Sequence, residues 1–257
     1  MGPDPAPRVL GQPLVELEVV ESTNLEARRL AREGRPEGTA VLAARQTGGR
    51  GRLGRAWFSP AGNLYLSVVL RPPLPPAHAP QLSLMAGVAL AEAIAALAPG
   101  VEPRVKWPND VWLGGRKVAG VLAELETAPG GAIDFVIVGI GVNLVTPVGG
   151  FPAELREIAT SLQAETGQAP SRDAFARALL RVLEHWYNTL LRDGFEPVRA
   201  GWEPCSITRG LPVAVRSAGE LLRGVEQGIE PDGALRLRRS DGAVVRVLAG
   251  DLEWQRG

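Results

Sequence analysis

Residues 45–57 read RQTGGRGRLGRAW and bring four arginines, four glycines and a tryptophan together without an acidic residue. Glycine allows a backbone to approach a ligand closely and to adopt positive φ. Arg50, Arg52 and Arg55 offer planar forks of donors that suit phosphate and carboxylate groups. The stretch therefore indicates an anion site. Taken alone, however, it favours a flexible RG tract that binds RNA or nothing.

The charge distribution around this stretch favours the ordered anion site. No Asp or Glu occurs between Gly38 and Ala91, although the whole chain of 257 residues balances 28 basic against 28 acidic side chains. A net charge of zero argues against nucleic-acid binding by the whole surface. We therefore expect a local anion site between two strands, and no DNA partner.

A second stretch, KWPNDVW at 106–112, combines turn formers with reactive groups. Pro108 and Asn109 favour a turn, which would present Lys106, Asn109 and Asp110 at the end of a strand. The same residues could form a purely structural hairpin corner.

Two further stretches place small residues beside polar ones. In GGRKVAGVLAE, Lys117 begins an apolar strand in which Gly120 leaves room for a ligand; the alternative is a solvated strand end. In VIVGIGVNL, Gly139 and Gly141 interrupt an apolar strand and suggest close approach by a ligand or by backbone. Asn143 follows as an uncharged hydrogen-bonding group.

The stretch ESTN at 21–24 places three polar residues at the start of a helix. Thr23 and Glu26 have the spacing of a capping box, so capping is the first interpretation of Thr23. A capping residue can also face a site, and both interpretations remain open for Ser22, Thr23 and Asn24.

Several classes of protein are disfavoured by composition. Cys205 is the single cysteine, and His78 and His185 are the two histidines, so a multi-cysteine metal site and a His-based dyad are not expected. The N-terminus lacks the basic and apolar regions of a secretory signal. The apolar run at 83–98 is short for a membrane span and contains Glu92. These features predict a soluble cytoplasmic protein with no membrane partner.

The elements that must position these residues predict an α+β fold with a mixed or antiparallel sheet, because strict βαβ alternation is absent. We predict strands at 14–20, 39–45 and 63–71, a hairpin around LGGR, and helices near 81–97, 154–163 and 172–192. From about Gly201 onward, short alternating runs separated by turns indicate a small all-β barrel. The predicted domains are residues 1–200 and 201–257.

Taken in order, STN, QTGGRGRLGRAW, KWPNDVW, KVAGVLAE and GIGVNL resemble the biotin–protein ligases, that is, the biotin–[acetyl-CoA-carboxylase] ligases. The C-terminal residues resemble the terminal barrel of that family. The resemblance implies a catalytic domain of the class II synthetase and biotin–lipoyl ligase type with an SH3-like barrel. About twenty residues precede STN, so we expect no winged-helix DNA-binding domain. Gly48 stands where alanine is common in the family.

The resemblance implies that biotin and ATP, with Mg²⁺, form biotinyl-5′-AMP, and that biotin then passes to a lysine of a biotin carboxyl carrier protein. It implies catalytic roles for Lys106, Asp110, Lys117 and Arg50. It implies biotin contacts for Ser22, Thr23, Asn24, Gln46, Gly49, Arg50, Gly51, Arg52, Lys117, Gly120 and Leu122. It implies ATP contacts for Arg52, Arg55, Trp57, Phe58, Asn109, Lys117 and Asn143. A lipoate–protein ligase remains the nearest alternative, metal ligands are not assigned, and a homodimer is possible.

Overall fold

The structure, a computed structural model, describes residues 9–255 and divides its strands between two sheets. Residues 1–8 and 256–257 lie outside the described part. The N-terminal stretch from which a secretory signal was excluded lies mostly within residues 1–8. The first residues of the predicted domain 1–200 and the last residues of the predicted domain 201–257 also lie outside the described part.

The larger sheet carries the predicted motifs. Its strands are β1 (Leu14–Val20), β2 (Ala40–Gln46), β3 (Leu64–Leu70), β4 (Arg104–Lys106), β5 (Asp110–Leu113), β6 (Arg116–Thr127) and β7 (Ile133–Val142). They lie in the order β1-β2-β3-β7-β6-β5-β4. Strands β1 and β2 are parallel, and the other neighbours are antiparallel. The mixed sheet confirms the predicted α+β class.

Five helices accompany this sheet within the described residues: α1 (Thr23–Arg32), α2 (Pro80–Leu97), α3 (Leu162–Thr166), α4 (Arg172–Asp193) and α5 (Glu196–Cys205). Helix α2 contacts the sheet on one side and α4 and α5 on the other. Residues 76–97 are long and apolar enough to cross a membrane, but 67% of their most apolar window is buried inside the fold. Contact with protein on both sides accounts for the apolar composition of this helix.

The hairpin between β5 and β6 brings two predicted stretches together. Gly114 and Gly115 both have positive φ, 55° and 75°, which suits a two-residue turn that matches the twist of antiparallel strands. The register that follows sets Asp110 opposite Gly120. The predicted LGGR turn is therefore confirmed, and it places the KWPND turn beside the start of β6.

The smaller sheet is antiparallel and follows α5. Its strands are β8 (Pro212–Ser217), β9 (Glu220–Ile229), β10 (Leu235–Arg238), β11 (Val244–Val247) and β12 (Asp251–Trp254), in the order β11-β10-β9-β8-β12. This confirms the predicted small all-β unit. Helix α5 runs across the predicted boundary between residues 200 and 201, and that division into domains stays a prediction.

The predicted helix at 154–163 is wrong. The structure has a 3₁₀ turn at Ala153–Leu155 and then α3. Between them, residues 156–158 form a turn. Ala159 then bridges Lys117 of β6, since the N–H of Lys117 donates to Ile158 O at 2.8 Å and the N–H of Thr160 donates to Lys117 O at 2.9 Å. Pairing with β6 thus overrides the local helical tendency of this segment.

Helix α5 was not predicted, because Pro197, Gly201 and Pro204 mark its sequence as a loop. Pro197 lies in the first turn, where proline is tolerated. Val198 and Trp202 are buried against the core. Tertiary packing of these two side chains therefore stabilises a helix that its own sequence disfavours.

Candidate functional site

A cleft of about 410 Å³ lies where β5, β6 and β7 meet the loop of residues 47–57, which we call the Gly/Arg loop. The first residues of α1, the end of β2 and the segment 151–159 form further parts of its wall. Strand β12 of the smaller sheet completes it. Both sheets therefore contribute side chains to one cavity.

Most of the residues singled out from the sequence line this cleft: Ser22, Thr23, Asn24, Gln46, Arg50, Gly51, Arg52, Arg55, Trp57, Phe58, Lys106, Asn109, Asp110, Lys117, Gly120, Leu122 and Asn143. Gly49 is not part of the lining. A Cβ at Gly49 would overlap Ser59 Oγ and lie 2.8 Å from Trp57 O, so glycine is needed there for packing within the loop.

Lys117 and Asp110 form an ion pair inside the cleft, with 2.6 Å between Nζ and Oδ1. Their side chains are 28% and 15% exposed. Gly120 leaves space for this pair, since a Cβ there would lie 3.3 Å from Lys117 Nζ. The ammonium also lies 5.1 Å from the centre of the Trp57 ring, within range of a cation–π interaction. A carboxylate and a cation are thus presented together to a ligand.

A hydrogen-bonded network of polar side chains lines the α1 end of the cleft. The backbone N–H and the hydroxyl of Thr23 both donate to Gln46 Oε1, at 2.8 and 3.1 Å. Ser67 Oγ donates to Asn24 Oδ1 at 2.6 Å and lies 2.8 Å from Thr23 Oγ1. Asn24 Nδ2 donates to Glu124 Oε2 at 2.7 Å. These contacts fix which donors and acceptors face the cleft.

The capping interpretation of Thr23 is wrong. Ser22 occupies the N-cap position of α1 without a side-chain capping bond, and the Thr23 hydroxyl donates to Gln46 instead. Sequence analysis also missed Ser67, which holds this network from β3 and is fully buried. A single hydroxyl in the apolar strand LYLSVVL is the signal that could have revealed it.

The Gly/Arg loop is an ordered hairpin in this structure. Arg50 and Ala56 form an antiparallel bridge, and the N–H of Gly51 donates to Arg55 O at 2.7 Å. Leu53 and Gly54, with φ of 57° and 73°, make the turn. The loop therefore presents its arginines in set directions.

The three arginines of this loop have different surroundings. Arg50 is 57% exposed and pairs with Glu21 at 3.3 Å. Arg52 is 24% exposed; its guanidinium donates to Asn109 Oδ1 at 3.3 Å and to Gly250 O at 3.2 Å. Arg52 is thus the least exposed arginine of the loop, and it links the loop to both Asn109 and the segment before β12.

Asp251 of β12 completes the charged group. It forms an ion pair with Arg55 and lies 3.9 Å from the Arg52 guanidinium. Burial lowers the pKa of Arg52, whereas the nearby carboxylates of Asp251 and Asp110 raise it; arginine still stays protonated at neutral pH. Sequence analysis missed Asp251, because 196 positions separate it from Arg55.

The glycines of β7 make room for two side chains of the site. A Cβ at Gly141 would lie 2.5 Å from Trp57 Nε1, and one at Gly139 would overlap Asn24 Oδ1. Trp57 Nε1 is buried, and among the described residues nothing accepts its hydrogen bond. The ring of Phe58 packs against the tilted ring of Phe151, with 6.1 Å between ring centres. The indole nitrogen therefore packs against β7 at Gly141, where a side chain would displace it.

Two predicted residues are held by partners that sequence analysis did not identify. Asn143 is buried, and its Nδ2 donates to Thr160 O at 2.9 Å. Lys106 Nζ lies 5.4 Å and 5.2 Å from the ring centres of Trp112 and Trp254, which meet edge to face at 4.8 Å. Trp254, like Asp251, comes from β12, so the smaller sheet positions a cation of the cleft.

A mixed sheet with this charged cleft, walled on one side by a small antiparallel sheet, defines a protein of the biotin/lipoate ligase class. The model of the Biotin/lipoate A/B protein ligase family matches residues 16–143, and that of the Biotin protein ligase C terminal domain matches residues 210–253.

Comparison with similar proteins and structures identifies the family within this class. The biotin--[acetyl-CoA-carboxylase] ligase of Paracoccus denitrificans is 40% identical over 227 residues, covering 88% of this chain and 94% of that protein. The bifunctional ligase/repressor BirA of Bacillus spizizenii is 37% identical over 95% of this chain and 75% of that protein. The biotin protein ligase from Aquifex aeolicus in complex with biotin and ATP superposes with a TM-score of 0.80 at 30% identity, covering 95% and 99% of the two chains. The chain belongs to the biotin protein ligase family.

Proposed function

We propose that this protein is a biotin–[acetyl-CoA-carboxylase] ligase. It joins the biotin carboxylate to the AMP moiety of ATP with release of pyrophosphate, and transfers the biotinyl group to a lysine of an acceptor protein. The observation that supports this most strongly is the cleft, which combines Lys117, Arg52 and Asp110 with a fixed polar network in a chain of the biotin protein ligase family.

In the first step, an oxygen of the biotin carboxylate attacks the α-phosphorus, and the bond to the β-phosphate breaks. The carboxylate needs no base, but the two anions repel each other by about a few kcal/mol at an effective dielectric near 20. Lys117 and Arg52 lie inside the cleft, and Arg50 lies at its edge. These cations offset the repulsion and hold the reacting groups in line.

The polar network at the α1 end suits the ureido ring of biotin, which carries both donors and an acceptor. Ser22, Thr23, Asn24 and Gln46 are the residues proposed to contact it, with Gly120 and Leu122 beside the bicyclic ring. A site built to hydrogen-bond a ligand strongly rejects an analogue that lacks the matching groups. The dithiolane of lipoate lacks them, which favours biotin as substrate.

The nucleotide is proposed to lie along the Gly/Arg loop. Trp57 and Phe58 would lie towards adenine, with Asn143 nearby, and Arg55 and Asn109 towards the phosphates and ribose. Gly51 lets the backbone approach the adenylate closely. Closure of the loop would keep water from the reactive mixed anhydride.

Mg²⁺ is expected to enter with ATP. Within residues 9–255 no group of three or more His, Cys, Asp or Glu side chains could hold a metal ion. Magnesium usually keeps several waters and binds through substrate phosphates with one or two carboxylates. Bound Mg²⁺ would supply positive charge to the phosphates.

In the second step, the neutral amine of the acceptor lysine attacks the carbonyl carbon of biotinyl-AMP, AMP leaves and a proton is released. Near pH 7.4, about one in a thousand lysine side chains with a pKa near 10.4 is neutral, so removing the proton costs about 4 kcal/mol. Asp110 is proposed to orient or deprotonate this lysine, and Lys106 to stabilise the departing phosphate.

The acceptor is proposed to be the biotin carboxyl carrier protein of a biotin-dependent carboxylase. This follows from the names of the Paracoccus denitrificans relative and of a Mycobacterium tuberculosis relative that is 36% identical, both biotin--[acetyl-CoA-carboxylase] ligases. A cytoplasmic location, a homodimer and the absence of a DNA partner stay predictions from the sequence.

The proposal is tested by ATP–pyrophosphate exchange in the presence of biotin or lipoate. We expect exchange that depends on biotin, with lipoate giving less than about a hundredth of the rate. No exchange with biotin would contradict the proposed function, and equal exchange with lipoate would contradict the biotin assignment.

A further inference from the structure

Two exposed leucines stand at the rim of the cleft. Leu53 at the tip of the Gly/Arg loop is 74% exposed, and Leu248 in the turn before β12 is 70% exposed. These are the most exposed large apolar side chains of the described residues. The hydrogen bond from Arg52 to Gly250 O joins the two segments that carry them, so the leucines lie on adjoining segments.

Both the backbone conformation of Leu53 and the exposure of its side chain are unfavourable. Its φ of 57° and ψ of 31° are left-handed, which costs about 1–2 kcal/mol for a residue with a Cβ. Asparagine or glycine would be favoured there, and a polar side chain would be favoured in water. Neither feature stabilises the fold, and such features concentrate where a protein meets a ligand or partner.

A stripe of arginines continues from this rim across the smaller sheet. Directly paired residues share a face, and alternate residues along a strand share it too. Arg216 pairs with Asp251, Arg223 with Ala214, and Arg238 with Val225, so these three arginines lie on one face of β8, β9 and β10.

These three arginines are exposed, and no acidic partner lies within 4 Å of them in the described part of the chain. Arg236 and Arg246 share the face but pair with Glu230 and Asp232. The stripe therefore carries uncompensated positive charge from the cleft-lining strand β12 outward.

We infer that Leu53, Leu248, Arg216, Arg223 and Arg238 form the docking surface for the protein that accepts biotin, and that this protein offers an acidic surface with an apolar spot. This inference rests on the proposed function. A cleft of about 410 Å³ cannot admit a folded domain, so the acceptor lysine enters while the body of its domain rests on the rim. The stripe and the leucines are the charged and apolar parts of that rim.

Nucleic acid fits this surface less well. The stripe carries no aromatic side chain on which a base could stack. The leucines also favour a partner with apolar side chains.

The test uses two double variants of the full chain. Leu53→Asn with Leu248→Ser removes the apolar spot, and asparagine tolerates the left-handed conformation at position 53. Arg216→Glu with Arg223→Glu reverses the charge. Three rates are measured for each: biotin-dependent ATP–pyrophosphate exchange, transfer from biotinyl-AMP to hydroxylamine, and transfer to a biotin carboxyl carrier domain.

We expect the KM for the carrier domain to rise about tenfold or more in each variant, with exchange and hydroxylamine transfer within about twofold of the wild type. The arginine variant should also lose most of the salt dependence of this KM. The matched control is Leu191→Ser with Arg181→Glu, two exposed positions of α4 that do not line the cleft; it should leave all three rates unchanged.

An unchanged KM for the carrier domain in both rim variants overturns the inference. Salt-dependent binding of nucleic acid that the arginine variant loses, with normal carrier transfer, overturns it in favour of nucleic acid. Absence of biotin-dependent exchange in the wild-type protein would instead contradict the proposed function, so the two failures are distinguishable.

Discussion

Lys117 and Asp110 show how one ion pair can serve two successive steps. Nζ and Oδ1 lie 2.6 Å apart, and both side chains are partly buried. In the proposed reaction, the lysine acts on the anionic substrates of the first step, and the carboxylate acts on the amine of the second. Because the pair is partly desolvated, its charges are screened less than those of surface pairs.

Asp110→Asn is therefore expected to separate the two steps. Transfer from preformed biotinyl-AMP to the carrier domain should fall by about 10²–10⁴-fold, the range for loss of general acid–base catalysis. Biotin-dependent pyrophosphate exchange should change much less, since the first step needs no base. Single-turnover transfer and exchange assays measure the two rates, and full transfer activity in the variant would refute this role of Asp110.

Gly141→Ala tests the space that β7 leaves for Trp57. The added Cβ would lie 2.5 Å from Trp57 Nε1, so the indole must move out of its position over Lys117. We expect the KM values for ATP and biotin to rise about tenfold, equivalent to roughly 1.4 kcal/mol of lost binding. Gly149→Ala is the matched control, because nothing lies within 4 Å of its added Cβ. Equal KM values in both variants would show that Trp57 does not need this space.

At the scale of elements, the Gly/Arg loop is held from the far end of the chain. Arg52 reaches Gly250 O, and Arg55 pairs with Asp251 of β12. These contacts hold the loop against the smaller sheet, and in the proposed reaction the same arginines contact the substrates.

Limited trypsin digestion measures how firmly the Gly/Arg loop is held, since Arg50, Arg52 and Arg55 are cleavage sites within it. Biotinyl-AMP should slow cleavage there, and Asp251→Ala should speed it in the absence of ligand. Glu253→Ala, an exposed position of the same strand, is the control and should cleave like the wild type. Cleavage that is equally fast with and without biotinyl-AMP would contradict a loop that closes over the adenylate.

At the scale of the whole molecule, a buried carboxyl group joins the smaller sheet to the larger one. Glu226 of β9 is fully buried and accepts hydrogen bonds from the hydroxyls of Ser206 and Thr208. That segment pairs with β4, where the N–H of Ile207 donates to Val105 O at 2.9 Å. Glu226 therefore lies at the junction that sets β12 against the cleft.

Glu226→Gln should change how stability depends on pH. Burial raises the pKa of Glu226 above its usual 4.5, although the bonds from Thr208 and Ser206 oppose this. Above about pH 4.5 the unfolded carboxyl loses its proton before the folded one does, so the wild type loses stability as pH rises towards the folded pKa. Glutamine has no such loss.

The free energy of unfolding, from urea titrations at pH 4 and pH 7.5, measures this difference. The variant should gain stability relative to the wild type between the two pH values. The rate of biotin-dependent exchange should be the same in the variant and in the wild type. A difference between variant and wild type that is the same at both pH values would show that folding does not raise the pKa of Glu226.

The sequence by itself determined the chemistry of the cleft and the local structure that presents it. The LGGR turn, the turn at 107–109 and the strands on either side of the Gly/Arg loop depend on backbone preferences of nearby residues, which a local pattern records. The types of residue at 50, 52, 110 and 117 likewise limit the chemistry to cations and one carboxylate. These features could be predicted because they depend on side-chain type and short-range spacing.

Tertiary structure alone decided which distant residues complete the site. Asp251 and Trp254 reach it from β12, Ser67 from β3, and Thr23 turns its hydroxyl to Gln46 instead of capping α1. Ala159 bridges Lys117 of β6 where a helix was predicted, and α5 forms because Trp202 is buried. Each of these outcomes depends on packing and hydrogen bonds between residues far apart in the chain. Such contacts leave no periodic pattern in the sequence around either partner, because their free energy arises only when the two segments meet.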